Sequence, residues 1–353
     1  MDYSKKYSSK IQTRFKLGSV TDVAAGHNHS FTGAKTVAIY SMIPAELSDY
    51  GRGSTRYGSI TDLDLAKQEM TCTQAKSFIK HLEALDNSDV SVEMAAGKFL
   101  RMEIDERVTP TMDKYRLQKW LEGAGTLKQL GNASTKSTIV ANIMDLKGAM
   151  GDNLVPDANL KLFIKNSAYI LLKQADAVVG IDAGDYNRKA VEKGVVGTFD
   201  GMKVIPVPST WLPSGAEFLI KANGTSEDPV KLAQYDVIPK TAGYSGPIAQ
   251  GLVYYDAFVI GEKNVGIGVS GLNTCVLSAP TITISSHTMG IAAVTGAKIV
   301  YTLDGSDPRW SPTAIAGTVG GAISGVTTTA GTKVRAIAVK AGCAGIEATA
   351  TDS

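Results

Sequence analysis

The sequence is poor in cysteine and lacks long apolar segments. Its three cysteines, Cys72, Cys275 and Cys343, are far apart among 353 residues and form no C-x-x-C pair. An odd number of widely separated cysteines argues against a disulfide framework or a zinc knuckle and is typical of a reducing cytoplasm. No apolar run approaches the roughly 20 residues that cross a bilayer, and the basic N-terminal residues precede no apolar stretch of a secretory signal. We therefore expect a soluble, multi-domain protein made inside the cell.

An excess of charge of either sign is also missing. Lys and Arg number 36 against 34 Asp and Glu, so the formal net charge is +2. A protein whose main work is to grip nucleic acid through a basic face has a larger positive excess. The 44% hydrophobic and 20% charged residues are typical of a globular protein and exclude a disordered chain.

Catalytic motifs are equally scarce. P-loop, nucleophile-elbow and H-E-x-x-H patterns do not occur in the sequence. His27-Asn28-His29 spells the tripeptide of a nuclease family, but the other histidines, His81 and His287, are isolated. The tripeptide is therefore interpreted as part of a solvated segment. We expect no enzyme activity, no cofactor and no metal site.

Two motifs resemble binding sites without the necessary context. Gly266, Gly268 and Gly271 match the dinucleotide fingerprint G-x-G-x-x-G, which requires a following helix to hold the pyrophosphate. Strand-like residues follow here, so we expect a glycine-rich exit from the last strand into a linker. Residues 304–308, DGSDP, lack the ligand spacing of an EF-hand and predict a β-turn.

The N-terminal part predicts an arm and a projecting hairpin. Residues 1–34 are polar and without clear periodicity, as in an extended arm. Residues 35–42 and 67–79 are strand-like and enclose the segment DYGRGSTRYGS. A hairpin of this length is marginal in water by itself, so it needs a partner surface.

Four residues near the hairpin tip are the predicted subunit contacts: Tyr50, Arg52, Arg56 and Tyr57. Two arginines give little affinity for nucleic acid at physiological salt. Carboxylates of a neighbouring subunit are the expected partners of Arg52 and Arg56.

Two amphipathic helices follow the hairpin. Thr109-Pro110 predicts the start of the first helix and Gly123 its end. The second helix is predicted to begin near Ser137 and to end at Gly151. Their apolar stripes are Leu117, Trp120, Leu121 and Ala124 in the first helix, and Ile139, Ile143, Leu146 and Met150 in the second.

The middle of the chain mixes strands with a short helix. From Asn159, the pattern predicts a strand at LKLFI, a helix at SAYILLK and two strands that turn at Asp200-Gly201. A further strand is predicted at YYDAFVI, from Tyr254.

Composition changes near Cys275. From Pro280 the chain is rich in Thr, Ala and Gly, and its strand-like runs are TITIS, AKIVYTL, TKVRAIAVK and IEATAT. Short strands separated by turn residues predict a small all-β sandwich. We place the boundary at about residue 277.

Three segments in this order resemble major capsid proteins of tailed bacteriophages, which have the Hong Kong 97-type (Johnson) fold. These are KTVAIYSMIPAELSDYGRG, ERVTPTMDKYRLQKWLEGAG and KGVVGTFDGMKVIPVPSTWLP, and the similarity extends from about Phe15 to Val269. The resemblance implies an α+β architecture. Its parts would be an N-terminal arm (1–34), an extended loop over a neighbouring subunit (35–78), a peripheral domain with a spine helix (79–159 and 254–276) and an axial domain (160–253).

The C-terminal part resembles a second family. YTLDGSDP, at 301–308, and VRAIA, at 334–338, are similar to the Ig-like repeat at the C-terminus of chitobiases and hexosaminidases. The repeat is an accessory module there, and the catalytic barrel is missing here. The resemblance implies an Ig-like domain (277–353) on the outer shell surface, with Trp310 as a candidate for weak glycan contact.

The resemblance thus implies a major capsid protein that self-assembles as hexamers and pentamers into an icosahedral shell around double-stranded DNA. DNA would lie against the inner face without sequence specificity, and the expected partners are copies of the chain, a separate scaffolding protein and a portal. The location would be the virion, after synthesis in the bacterial host cytoplasm, with no membrane contact. The alternatives are an encapsulin-like cargo shell, a carbohydrate-binding surface protein and, least favoured, an enzyme.

Overall fold

The computed structural model describes residues 18–26, 35–42, 50, 52, 65–83, 96–175, 197–239 and 243–353. Within these ranges the chain forms a mixed α+β fold in which strands outnumber helices. No helix in the described ranges has the length and apolar character needed to cross a membrane.

A continuous helical rod precedes the first large sheet. It consists of α1 (Ala96–Glu103), a π-helical turn (Ile104–Val108) and α2 (Thr109–Glu122). The predicted start at Thr109 is therefore wrong, because the chain is already helical from Ala96. The π turn explains how the rod continues through Pro110: proline lacks the N–H and crowds the carbonyl four residues earlier, and a wider turn relieves that conflict.

The predicted helix end and both apolar stripes are confirmed. Gly123 is the C-cap of α2, and α3 spans Ile139–Asp152 with Asn153 as its cap. Every stripe residue of the two helices is at most 1% exposed.

The hairpin base is a two-stranded antiparallel sheet of β1 (Thr36–Met42) and β2 (Leu65–Thr71). The single strand predicted for residues 67–79 is wrong at Cys72-Thr73, where the chain changes sheets. β3 (Gln74–His81) pairs with β11 (Ile248–Tyr255) instead. β10 (Val230–Ile238) completes this three-stranded sheet on the other side of β11.

The main sheet has six strands in the order β4-β13-β8-β5-β7-β6. In chain order these are β4 (Thr126–Leu130), β5 (Lys161–Lys165), β6 (Gly197–Phe199), β7 (Met202–Val207), β8 (Ala216–Lys221) and β13 (Ile267–Leu272). Helices α3 and α4 (Asn166–Gln174) pack on one face, and α2 packs on the other. The predicted LKLFI strand, SAYILLK helix and Asp200-Gly201 turn are confirmed.

One sheet therefore combines strands from the segments assigned by resemblance to the peripheral and axial domains. The predicted strand at YYDAFVI is interrupted at Asp256-Ala257, after which β12 (Phe258–Val259) pairs with β9 (Ser226–Glu227). The assignment of peripheral and axial domains stays a prediction.

The glycine-rich segment at 266–271 is a strand of the main sheet, and the expectation of an exit into a linker is wrong. A 3-10 helix (Gly261–Gly266) leads into β13, which lies between β4 and β8. A Cβ on Gly268 would lie 2.8 Å from the Met150 sulfur, and one on Gly271 would lie 2.7 Å from the Gly215 carbonyl oxygen. The glycines thus permit close packing of α3 and a neighbouring strand, and no helix follows to hold a pyrophosphate.

The chain then forms two small antiparallel sheets, called here the C-terminal unit; the described residues before Cys275 are called the body. One sheet has the order β15-β16-β19 and the other β18-β17-β20-β22. Their strands are β15 (Ile282–Ser285), β16 (Thr288–Ile291), β17 (Lys298–Thr302), β18 (Ile315–Val319), β19 (Ile323–Thr327), β20 (Lys333–Val339) and β22 (Ala348–Thr351). Side chains of both sheets share one core, as expected for an all-β sandwich.

The four strand-like runs identified in the C-terminal sequence are confirmed, whereas β16, β18 and β19 were missed. At the junction with the body, β14 (Val276–Leu277) pairs in parallel with β21 (Ala344–Gly345). The predicted boundary at 277 falls inside this junction and stays a prediction.

Candidate subunit-contact site

The base of the hairpin is fixed to the body by one glutamine. Gln68 donates from Nε2 to the Val259 carbonyl at 2.8 Å, and its Oε1 accepts from the Gly261 N–H at 2.9 Å. On the same face of the hairpin, Ile39 and Met70 are buried. A side chain with both amide ends occupied sets the direction in which β1 and β2 leave the body.

A buried carboxylate fixes the point where the chain changes sheets. Asp256 is 3% exposed and accepts from the Thr73 N–H at 2.7 Å and from the Tyr115 hydroxyl at 2.7 Å. Burial, followed by the hydrogen bond to Asp256, raises the pKa of Tyr115. The phenol therefore stays protonated and donates, which connects the helical rod to the hairpin.

The outer face of the hairpin is exposed. Tyr40 is 61% exposed, and Lys67 and Glu69 form an ion pair beside it. Of the four predicted tip contacts, Tyr50 and Arg52 are exposed. Arg56 and Tyr57 lie outside the described residues, and the contact role of all four residues stays a prediction.

The three-stranded sheet has one packed face and one exposed face. Phe78 and Tyr235 stack across Gly251 with ring centroids 6.3 Å apart, and a Cβ on Gly251 would lie 2.4 Å from the Phe78 ring. On the opposite face, Ile79 is 64% exposed and Leu252 is 37% exposed. These two apolar side chains lie on the same face as the polar Ser77, Gln234, Asp236 and Gln250. This mixed face is a candidate contact surface that the sequence pattern did not identify.

Residues 18–26, called here the anchor segment, lie against the rest of the body. Val20 and Ala24 belong to the main core, so the description of an extended arm does not apply to them. Asp113 of α2 accepts from Ser19 Oγ at 2.8 Å, from the Val20 N–H at 3.0 Å and from Thr21 Oγ1 at 2.6 Å. The other residues of the predicted arm, 1–17 and 27–34, lie outside the described residues and include the His27-Asn28-His29 motif.

A second carboxylate holds the far end of the anchor segment. Asp228 is fully buried and accepts from the Gly26 N–H at 3.1 Å and from Trp120 Nε1 at 2.9 Å. Lys221, also fully buried, donates to the Ala24 carbonyl at 2.6 Å and lies 4.6 Å from the Trp120 ring centroid. A Cβ on Gly26 would lie 1.8 Å from the Ser226 carbonyl oxygen, so only glycine fits this approach.

Burial dominates the electrostatics of this cluster. It raises the pKa of Asp113 and of Asp228 and lowers the pKa of Lys221 to about 8. The hydrogen bonds to both carboxylates act in the opposite direction and favour their charged form. The cluster therefore joins the anchor segment to Asp113, Lys221 and Asp228, which are far from it in sequence, in one polar network.

Trp310 of the C-terminal unit packs against the body. A Cβ on Gly123 would lie 3.0 Å from its ring, and one on Gly261 would lie 2.8 Å from it. The indole is partly buried and contacts the main core, and its Nε1 is buried without a hydrogen-bond partner. The Trp310 ring thus lies between the C-terminal unit and the body, as a wedge at the junction. The part of the ring that is not packed there lines the neighbouring cleft with Gln68 and Asp304.

Polar contacts surround this wedge. Asn264 of the body donates to Asp307 at 3.3 Å, and Glu122 accepts from the Gly342 N–H at 2.8 Å. Arg309 and Arg335 both contact Asp307 and Glu347. The junction is therefore held by apolar packing and by hydrogen bonds together.

The predicted turn at 304–308 is confirmed. Asp304 accepts from the Ser306 N–H at 3.0 Å and from Thr313 Oγ1 at 2.7 Å, and Gly305 has φ +78°. Its carboxylate thus supports the turn itself. In the described part of the chain, no group of three His, Cys, Asp or Glu side chains could hold a metal ion.

The fold is similar to those of bacteriophage structural proteins. A chain of Mycobacterium phage Che8 has a TM-score of 0.62 at 12% identity, covering 76% of this chain and 96% of that chain. A chain from the capsid of Cyanophage P-SCSP1u has a TM-score of 0.59 at 12% identity, covering 76% of this chain and 93% of that chain. A chain from the mature capsid of bacteriophage PhiM1 has a TM-score of 0.60 at 11% identity, covering 77% of this chain and 92% of that chain.

At such identities the similarity shows a shared fold, which is the fold of phage capsid proteins. The expectation of a mixed α+β capsid fold is confirmed at that level. No protein-family model matches the sequence, and no curated protein is significantly similar to it.

Proposed function

We propose that this chain is a major capsid protein of a tailed bacteriophage. In this proposal it self-assembles as hexamers and pentamers into an icosahedral shell that encloses double-stranded DNA. The observation that carries the proposal is the shared fold, since this chain covers more than nine-tenths of the two phage capsid chains compared above. The scarcity of catalytic motifs in the sequence agrees with a structural role.

The geometry of the hairpin supports assembly through extended contacts. Its base is fixed by Gln68 and Asp256, whereas its outer face and the residues Tyr50 and Arg52 are exposed. A strand pair held at one end is suited to lie over a neighbouring subunit, where the burial that it lacks in the monomer becomes available. The exposed face with Ile79 and Leu252 is a second candidate contact.

The remaining parts of the proposal follow the resemblance. The helical rod from Ala96 to Glu122 would be the spine, and a scaffolding protein and a portal would act during assembly. The net charge of +2 suits a shell that confines DNA without sequence-specific binding. The shell would be part of the virion and would assemble in the bacterial host cytoplasm.

The C-terminal unit is proposed to be an Ig-like domain displayed on the outer surface. The capsid matches leave about a quarter of this chain uncovered, which is close to the size of residues 277–353. A weak glycan contact at Trp310 would have to use the part of the indole that lines the cleft.

Electron microscopy of the purified full chain, alone and with a scaffolding partner, tests this function. Closed icosahedral shells or hexameric capsomers with surface knobs are expected. A matched pair of variants sharpens the test: Ile79→Ser, at a residue 64% exposed, should impair assembly, whereas Val319→Ser, at a residue 73% exposed in the C-terminal unit, should leave shells unchanged. A dispersed monomer under all conditions would overturn the proposal and favour a surface-binding protein.

A further inference from the structure

Two cysteines that are 68 positions apart in the sequence meet at the junction. β14 and β21 pair in parallel there, with Val276 opposite Ala344 and Leu277 opposite Gly345. Cys275 and Cys343 immediately precede the first of these pairs, and the Ala344 N–H donates to the Cys275 carbonyl at 2.9 Å. Neighbouring strands lie about 4.8 Å apart, which falls within the Cα separation that a disulfide requires, about 4.4 to 6.8 Å.

Each thiol also lies near the backbone of the segment that carries the other cysteine. Cys275 Sγ lies 3.7 Å from the Gly342 carbonyl oxygen, and Cys343 Sγ lies 3.3 Å from the Thr274 carbonyl oxygen. Each sulfur therefore contacts the residue next to the other cysteine. Both thiols are free in this structure and largely excluded from solvent.

We propose that Cys275 and Cys343 form a redox-sensitive disulfide that closes the C-terminal unit onto the body. Cys275 contributes to the main core and Cys343 to the core of the C-terminal unit. The bond would join these two cores and enclose six of the unit's seven strands, β15 to β20, in one covalent loop. Its state would be reduced inside the cell and oxidised outside, since the cytoplasm keeps thiols reduced.

The oxidant would be a small-molecule disulfide such as oxidised glutathione. The Cys343 thiolate attacks one sulfur of the oxidant and releases one glutathione thiolate. The Cys275 thiolate then attacks the Cys343 sulfur of the mixed disulfide and releases the second. Two protein thiols are oxidised, one disulfide is reduced to two glutathione thiols, and the two thiol protons end on glutathione.

Because both thiols are buried, we expect their oxidation to be slow at neutral pH and faster at higher pH. Burial raises the pKa of Cys275 to about 12 and also raises the pKa of Cys343. Because the thiolate is the attacking species, its scarcity at neutral pH slows each step. We expect the oxidation rate to increase about tenfold for each pH unit between 7 and 9, as the thiolate fraction does.

The test uses the full chain, treated with oxidised glutathione at pH 7 to 9, then denatured, alkylated and mapped by mass spectrometry. The expected result is a loss of two of the three free thiols, with a cross-linked peptide joining Cys275 to Cys343 and Cys72 alkylated. Cys72→Ser serves as the matched control and should form the same cross-link. Cys343→Ala should lose no thiols.

A second readout requires no substitution. Oxidised wild-type chain, compared with the same sample after reduction, should unfold at a temperature higher by about 5 °C or more, since closing a loop restricts the unfolded state. Three alkylated cysteines after prolonged oxidation at pH 9 would overturn the proposal. So would a cross-link through Cys72, or a disulfide that joins two chains.

Discussion

The body and the C-terminal unit bury their polar groups in different ways. In the body, the anchor segment is held by Asp113 and Arg116 of α2 and by Lys221 and Asp228, all of them at most 3% exposed. In the C-terminal unit, the buried carboxylate of Asp352 accepts from Thr328 Oγ1 at 2.6 Å and contacts His287. The body thus depends on a buried network of charges, and the C-terminal unit mainly on strand pairing.

This difference has a consequence for how each region folds. The hydrogen bonds of the anchor segment to the rest of the body join residues 92 to 202 positions apart, so they form only after distant segments have come together. In the C-terminal unit, β15 pairs with β16 across a two-residue turn. Contacts of low sequence separation form faster and with a smaller loss of chain entropy.

The largest expected effect comes from breaking the network in the body. Asp228→Ala removes the acceptor of Trp120 Nε1 and the counter-charge of buried Lys221. A buried charge left without its compensating group costs about 3–5 kcal/mol. Urea unfolding of the full chain measures this loss, and Asp352→Ala in the C-terminal unit is the control with a much smaller expected loss. Equal losses for both variants would show that the two regions do not differ in this way.

Removing the wedge between the two regions should have the next largest effect. Trp310→Ala deletes the ring that packs on Gly123 and Gly261 and should cost about 2–3 kcal/mol, less than for a fully buried tryptophan. We expect the junction at residues 276–281 to become sensitive to limited proteolysis while each region remains folded. Unchanged cleavage would mean that the hydrogen bonds alone hold the junction.

A third prediction concerns a lysine of the main sheet. Burial, together with nearby Lys203, lowers the pKa of Lys161 to about 8 from an ordinary value of 10.5. Between these values the unfolded chain binds more protons than the native chain, so stability rises with pH in this window. Lys161→Met should therefore stabilise the body by about 1–2 kcal/mol at pH 7, with a gain that disappears near pH 10.5. Unfolding curves at pH 7, 9 and 10.5 measure this; a gain that does not depend on pH would contradict the stated cause.

The smallest effect is expected at Glu122. Burial opposes its charged form, but hydrogen bonds from Lys119, the Gly342 N–H and Gln118 outweigh burial and lower its pKa. The stability that Glu122 contributes is present above its ordinary value of 4.5 and is lost as the pH falls through the lowered pKa. Glu122→Gln should cost about 1 kcal/mol at pH 7 and almost nothing at acidic pH. Acid unfolding curves of the two proteins should therefore converge, and parallel curves would contradict the prediction.

Local patterns predicted much of the secondary structure. The apolar stripes of α2 and α3, the turn at Asp200-Gly201 and four strands of the C-terminal unit follow from residue spacing and turn chemistry. The start of the helical rod was missed, because proline is a common first residue of a helix and a π turn has no sequence signature. β13 was missed, because its glycines are required by the close approach of Met150 and Gly215 and not by a turn.

The candidate contact site was predicted only in part. Tyr50 and Arg52 could be proposed from their place in a hairpin tip, and both are exposed. Ile79 and Leu252 could not be proposed, since an apolar residue in a strand is more often buried than exposed. Nothing local in residues 18–26 indicates the distant carboxylates that bind the anchor segment, so the sequence pattern alone predicts an extended arm there.

Residue types and their spacing were enough to establish the scarcity of catalytic motifs, the change of composition near Cys275 and the faces of the main helices. Each of these depends on composition or on neighbours within a few turns of helix or strand. Only the tertiary structure decided that Asp113 and Asp228 hold the anchor segment, that Trp310 packs on two glycines and that Cys275 meets Cys343. These contacts join residues far apart along the chain, and their partners are fixed by the packing of the whole sheet and not by any local preference.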